Sequence, residues 1–182
     1  MKTKIITHFS GKYAFLRNSY SARIPGQDNY MYPSVHHAYL AVRTDDMSVR
    51  ARLRTCSITE ALQIESSIPC RNIQDTNTHK EIMRSLLMCK FSCHPKLLKK
   101  LLSTKGYVIQ APASEYGMFW GSAPCGGENH LGILLTEIRD ALIQEYQMVL
   151  ESAEEGMPGS CIARSILYPQ HKMDIYQVPP YP

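Results

Sequence analysis

Apolar residues recur at helical spacing through the middle of this chain, whereas residues 1–33 carry only short apolar runs. There Ile5-Ile6-Thr7 and Tyr13-Ala14-Phe15-Leu16 predict irregular or short-stranded structure, and Pro25-Gly26-Gln27-Asp28-Asn29 predicts a turn. Ser34 after Pro33 suits a helix N-cap, and Val35, Ala38, Tyr39 and Val42 carry that helix to about Arg43. A second helix is expected over Ser48 to Arg54, after Asp45-Asp46. A third begins at Thr59, with Ala61, Leu62 and Ile64 as its apolar positions, and stops before Pro69.

The pattern from Thr78 to Phe91 is stronger, with Ile82, Met83, Leu86, Leu87 and Lys90 on neighbouring helical positions. Pro95 fits the first turn of the next helix, where Leu97, Leu98, Leu101 and Leu102 form one stripe until Gly106 ends it. Tyr107-Val108-Ile109-Gln110 predicts a short strand, with a partner among the N-terminal runs. After Asn129, residues Leu131, Leu134, Leu135, Ile138, Leu142 and Val149 share one face of a long helix, the expected central packing element. Past Glu155 the pattern weakens, and Val178-Pro179-Pro180-Tyr181-Pro182 reads as extended. The expectation is a mainly α domain over residues 1–155 with a small antiparallel β element, followed by an extended C-terminal tail over 156–182.

Composition narrows the class. At 182 residues the chain can bury a full core as one domain, and 44% hydrophobic with 20% charged residues is ordinary for a globular protein. No apolar run approaches the roughly 18 residues that span a bilayer, and the first ten residues hold only two adjacent aliphatics. The expected setting is the cytoplasm, with no membrane partner. There the six scattered cysteines stay reduced. Cys89, Cys93 and His94 lack a second ligand pair at zinc spacing, so no metal and no cofactor is assigned. The net charge of +4 is dispersed over Arg50, Arg52, Arg54, Lys96, Lys99 and Lys100; these form either solvated faces or a surface for a phosphate backbone.

Candidate chemistry concentrates in the segment from Met118 to Gly132, which contains the only tryptophan, Trp120, and then Gly121, Gly126 and Gly127. Glycines allow close backbone approach to a ligand, and the following helix start offers unpaired amides suited to a phosphate. An indole beside it is either a core anchor or a platform for a flat ring. Asn129 is positioned to cap the helix and to line a pocket. His36 and His37 are adjacent, so on a helix they point about 100° apart and only one faces a given pocket.

Three segments in order, Phe15-Leu16-Arg17-Asn18, then Tyr32-Pro33-Ser34-Val35-His36-His37-Ala38-Tyr39-Leu40-Ala41, then Phe119-Trp120-Gly121 with Asn129-His130-Leu131-Gly132, resemble the NADAR, or YbiA-like, family of N-glycosidases. Arg71, Ile82-Met83, Lys90-Phe91, Pro95 and Leu101-Leu102 also fall where that family has similar residues, so the resemblance covers roughly residues 9–143. It implies a compact YbiA-like helical domain that cleaves the N-glycosidic bond between ribose and a heterocycle. The implied substrates are phosphorylated riboflavin-pathway intermediates or ADP-ribose on a guanine base, including ADP-ribosylated nucleic acid. The resemblance makes Asn18, Trp120, Gly121 and Asn129 substrate-binding candidates; Tyr32 and Tyr39 pack either on the base or in the core, and Lys90 and Arg139 are either phosphate partners or surface charges.

Departure of the heterocycle leaves an oxocarbenium-like sugar, which an acidic group must stabilise. Here the chain departs from the family. His36 stands where the family has an acid on its first helix, Gly117 stands where an acid precedes the Trp-Gly pair, and Gln74-Asp75 corresponds to an Asp-Trp pair. The replacements expected from the sequence are His36 as a neutral proton acceptor from water, with Glu115 or Asp75 supplying negative charge. The alternative expectation is an inactive family member that binds a nucleotide, a nucleotide sugar or a partner protein.

Overall fold

The computed structural model describes residues 4–68 and 75–154, with side chains described as far as residue 148. The predicted tail over 156–182, the boundary at residue 155, Arg71, Gln74 and the Val149 side chain lie outside the described residues.

Strand β1 (Lys4–Ile6) leads into a 3-10 turn over Gly11–Leu16, and the short strands β2 (Ile24–Pro25) and β3 (Met31–Tyr32) follow. Helices α1 (Val35–Val42), α2 (Met47–Leu53), α3 (Ile58–Ser67), α4 (Thr76–Cys93) and α5 (Pro95–Leu102) come next. After them come strand β4 (Tyr107–Ile109) and helices α6 (Ala113–Trp120) and α7 (His130–Glu154). The architecture is mainly helical. Helix starts follow local chemistry: Asp46 accepts from the amides of Ser48 and Val49, Ser57 from Glu60, and Asp75 from Asn77 and Thr78. Ser34 occupies the cap position of α1, but its hydroxyl pairs with His37 Nδ1 at 2.8 Å instead of a helix amide.

β2 and β3 form the small antiparallel element around the predicted turn, which Gly26 N closes by donating to Tyr30 O at 2.8 Å. β4 does pair with an N-terminal run, β1, but in parallel, with Ile5 opposite Val108. The chain between them passes through five helices, the long crossover that a parallel pair requires. Helix α6 carries no helical signature in its sequence, which is short, glycine-containing and without an apolar stripe. It is broken at Gly117, which adopts φ 70° and ψ 175°; a side chain would be strained there.

The packing centre is α4, not α7: α4 packs against α1, α5, α7 and β2. Its Leu86, Leu87 and Phe91 are fully buried, with Leu40 of α1, Leu101 of α5 and Leu135 of α7 in the same core. Each such side chain contributes about 1.5–3 kcal/mol of transfer free energy. α7 covers one side with Leu131, Leu134, Leu135, Ile138 and Leu142, all buried. Among the described residues, no helix is long and apolar enough to cross a membrane.

Candidate functional site

Four helices each turn one face toward an open cleft of about 800 Å³. α1 presents His36, Tyr39 and, at its C-cap, Arg43, α3 presents Ile58, Leu62 and Glu65, and α4 presents Thr76, His79 and Met83. Each set follows i, i+3 or i+4, i+7 spacing, which stacks side chains on one face. α6 adds Glu115, Tyr116, Phe119 and Trp120, and the turn after the 3-10 segment adds Asn18 and Ser19. The size suits a nucleotide-scale ligand.

One wall is aromatic. Trp120 meets Tyr39 edge-on at 6.1 Å between centroids and Phe119 at 4.8 Å, both nearly perpendicular. The Tyr39 hydroxyl is fixed to His79 Nδ1 at 2.7 Å. These contacts hold the indole edge-on to its neighbours at the cleft, a geometry that supports stacking of a planar ring on its face.

The other wall carries charge. His36 Nε2 lies 3.5 Å from Glu65 Oε2, and Glu65 Oε1 lies 3.1 Å from Arg43 Nη1. The imidazole contact is within ion-pair reach but makes no well-formed hydrogen bond, so His36 Nε2 is buried without such a partner. Burial pushes the His36 ring below the ordinary histidine range, opposed in part by the Glu65 carboxylate, so the ring is neutral at pH 7. At the rim Arg17 Nη2 holds Glu115 Oε1 at 3.1 Å, both side chains being more than a third exposed. Asn18 sits between, buried, with its Nδ2 donating to Met83 Sδ at 3.6 Å and its Oδ1 unpaired. Burial pushes the Tyr116 phenol up to about 12, which keeps its O–H a donor.

Of the residues singled out from sequence, Asn18, His36, Tyr39, Glu115 and Trp120 line the cleft together. His37 does not; it is buried on another face of α1. Asp75 caps α4 through both oxygens, which holds its carboxyl below the usual range, and it does not line the cleft. Tyr32 is wholly buried, and its hydroxyl donates to Asp28 Oδ2 at 2.6 Å. Lys90 is likewise buried, with Nζ donating to the Arg17 carbonyl at 2.7 Å, so it anchors the turn carrying Asn18.

The glycine-rich segment acts as a packing device between α6 and the start of α7. A Cβ on Gly121 would lie 2.6 Å from Ala113 Cα, and the amides of Gly121, Ser122, Ala123, Gly126, Glu128 and Asn129 are all bonded to backbone carbonyls. Asn129 accepts from Ala111 N at 2.9 Å and donates to Ile109 O at 3.0 Å, which clasps the end of β4. Arg139 of α7 points away from the cleft, its guanidinium donating to the carbonyls of Thr104 and Tyr107.

Sequence reasoning passed over Arg43, Glu65, His79 and Tyr116. The signal was available for α1, where Arg43 follows His36 and Tyr39 at helical spacing. For Glu65 and His79 it was not, because their helix faces are assigned to the cleft only by packing.

A helical domain with an open cleft, one wall aromatic and the other charged, has the construction of a small-molecule site. The NADAR domain family model matches residues 4–143, and the chain belongs to the NADAR family. The chain is similar to N-glycosidase YbiA of Escherichia coli strain K12, at 30% identity over 127 residues covering 65% of this chain and 75% of that protein. It is also similar to riboflavin biosynthesis protein PYRR of Zea mays, at 32% over 152 residues, 75% of this chain. The PYRR protein of Arabidopsis thaliana matches at 42% over 77 residues, 42% of this chain. The chain spans only 24% and 13% of those two plant proteins. The NMR structure of E. coli YbiA superposes with a TM-score of 0.69 at 28% identity, covering 81% of this chain and 89% of that one.

Proposed function

We propose that this protein acts on the N-glycosidic bond of a phosphorylated ribosyl-heterocycle, of the ADP-ribosyl-guanine or riboflavin-intermediate type. The observation that carries the reading is the pairing of an aromatic wall, Trp120 with Tyr39, with a charged wall that includes His36 in a single nucleotide-sized cleft. The heterocycle stacks on Trp120, and Asn18, with its Oδ1 unpaired, receives a donor from the ligand. The neutral His36 ring is suited to accept a proton from water. Glu115 adds negative charge at the rim, tempered by Arg17. Asp75 has no part in it, since capping uses its carboxylate. The similarity to N-glycosidase YbiA supports the bond, and that to riboflavin biosynthesis protein PYRR supports a riboflavin-pathway compound as one candidate substrate.

The test is incubation of purified protein with ADP-ribosylated guanine nucleotides, ADP-ribosylated DNA and early riboflavin intermediates. Chromatography would follow freed base and ribose. No release at high protein concentration would refute catalysis. His36, in the place of the family's acid, favours a second reading, a cytoplasmic binding protein that holds a nucleotide or nucleotide sugar. Calorimetry with ADP-ribose and NAD separates the two: tight binding without turnover supports the second, and a surface for a partner protein remains if neither binds.

A further inference from the structure

The sequence leaves the cleft short of an acid, yet the fold returns one from an unexpected helix. Glu65 reaches the cleft from α3, and its side chain is 36% exposed, so it is open to a ligand and not sealed in the core. Two cleft residues of α1 hold it: Arg43 takes Oε1 at 3.1 Å and His36 approaches Oε2 at 3.5 Å. Arg43 is itself steadied over the Tyr39 ring, 5.9 Å from its centroid. The carboxylate is therefore placed from two sides beside the position at which α1 lacks an acid.

We infer that Glu65 and His36 act as one carboxylate–imidazole unit, in which Glu65 supplies the negative charge facing the sugar as it becomes cationic. This rests on the N-glycoside reading of the cleft. As the C–N bond breaks, its electron pair leaves with the heterocycle, and Glu65 stabilises the positive charge on the ribosyl carbon. Water forms the new C–O bond. One of its protons passes to the His36 ring, whose cation Glu65 also stabilises, and that proton ends on the departed nitrogen. Glu115 matches Glu65 in exposure and in its pairing with an arginine, Arg17; what sets Glu65 apart is the His36 imidazole at its second oxygen.

Binding of a charged probe reads this directly, whether or not the protein turns over. The probe is a 5′-phosphorylated iminoribitol, cationic at its ring nitrogen, compared by calorimetry with the neutral oxygen-ring analogue. The wild-type protein is expected to prefer the cation by roughly ten-fold or more. Glu65→Gln should remove the preference and keep affinity for the neutral analogue, whereas Glu60→Gln, on the same helix outside the cleft, should keep the preference. Unchanged thermal unfolding of Glu65→Gln would establish that the fold is intact, and Glu65→Asp should restore part of the preference if it is not.

Preference that survives in Glu65→Gln, or that is lost in Glu115→Gln instead, overturns the inference. So does equal binding, or no binding, of the two analogues by the wild type. The N-glycosidase reading fails separately, on absence of base release from the substrates above.

Discussion

Replacing Asn129 with Ala separates a structural role from a ligand-binding one. The side chain holds two partners at the end of β4, Ala111 N–H at 2.9 Å and Ile109 C=O at 3.0 Å, and both partner residues are almost fully buried. Alanine strands a donor and an acceptor, each costing about 1–3 kcal/mol when water cannot reach it. Asn129 also has φ 53°, a backbone region that asparagine tolerates and alanine pays roughly 1 kcal/mol to enter. Because Asn129 is itself half-buried, some water reaches the site, and the net loss should be about 2–5 kcal/mol. For a chain of this length that corresponds to a fall of roughly 5–15 °C in Tm.

Urea denaturation and thermal unfolding would measure it. Asn129→Asp, which keeps the acceptor, should lose less. Asn129→Gly, which relieves only the backbone, should fall between Asp and Ala. Well below the melting temperature, the affinity of Asn129→Ala for ADP-ribose or an iminoribitol probe should change by less than about two-fold, since the residue does not line the cleft. A variant as stable as the wild type that no longer binds such a ligand would refute the clasp and return Asn129 to the binding site.

Burial of Lys90 lowers its pKa to about 7, below the unfolded lysine range, so the folded state holds fewer protons than the unfolded chain above pH 7. Stability should therefore rise between about pH 7 and pH 10 relative to Lys90→Met. The expected relative gain is about 2–3 kcal/mol from pH 7 to 9 by denaturant titration, and a flat difference would show that Lys90 is not buried as a free amine. Asp75→Ala should destabilise α4 through loss of its cap, with ligand binding by calorimetry unchanged. That cap contribution is present above the carboxylate range and is lost as pH falls through the lowered Asp75 pKa. Trp120 is the only tryptophan, so ligand entry should quench intrinsic fluorescence, and Trp120→Ala should weaken binding of a ring-bearing ligand by about 1–3 kcal/mol. Ligand binding without any fluorescence change would argue against stacking.

Much of the helical framework was legible because periodicity and caps act locally. Val35, Ala38 and Tyr39 are buried at the spacing that predicted α1, and Pro95 opens α5 as its chemistry requires. What escaped were features set by distant packing. The strand at Tyr107 advertised itself by its residues, but its parallel pairing with Lys4–Ile6 depends on the crossover through five helices. α6 escaped because Gly117 breaks it, so no continuous stripe marks it. The centrality of α4 depends on what surrounds it, which no single stripe records.

The candidate site shows the same division more sharply. His36 and Trp120 were visible as unusual residues in recognisable segments. Tyr32, Lys90 and Asn129 belong to those segments too, but each spends its polar group within the protein: on Asp28, the Arg17 carbonyl and the end of β4. A motif therefore mixes residues that meet the ligand with residues that build the wall behind it, and only the hydrogen-bond partners separate them. Glu65 is the opposite case. In sequence it is one carboxylate on an ordinary amphipathic helix; in space it stands 3.5 Å from His36, at the place where the family resemblance implies an acid. A charge that a pocket needs is fixed by position and not by the helix that delivers it, so loss of an acid on α1 is no evidence that the cleft lacks one. The deficit read along the chain becomes, at Glu65, a question of which helix carries the charge.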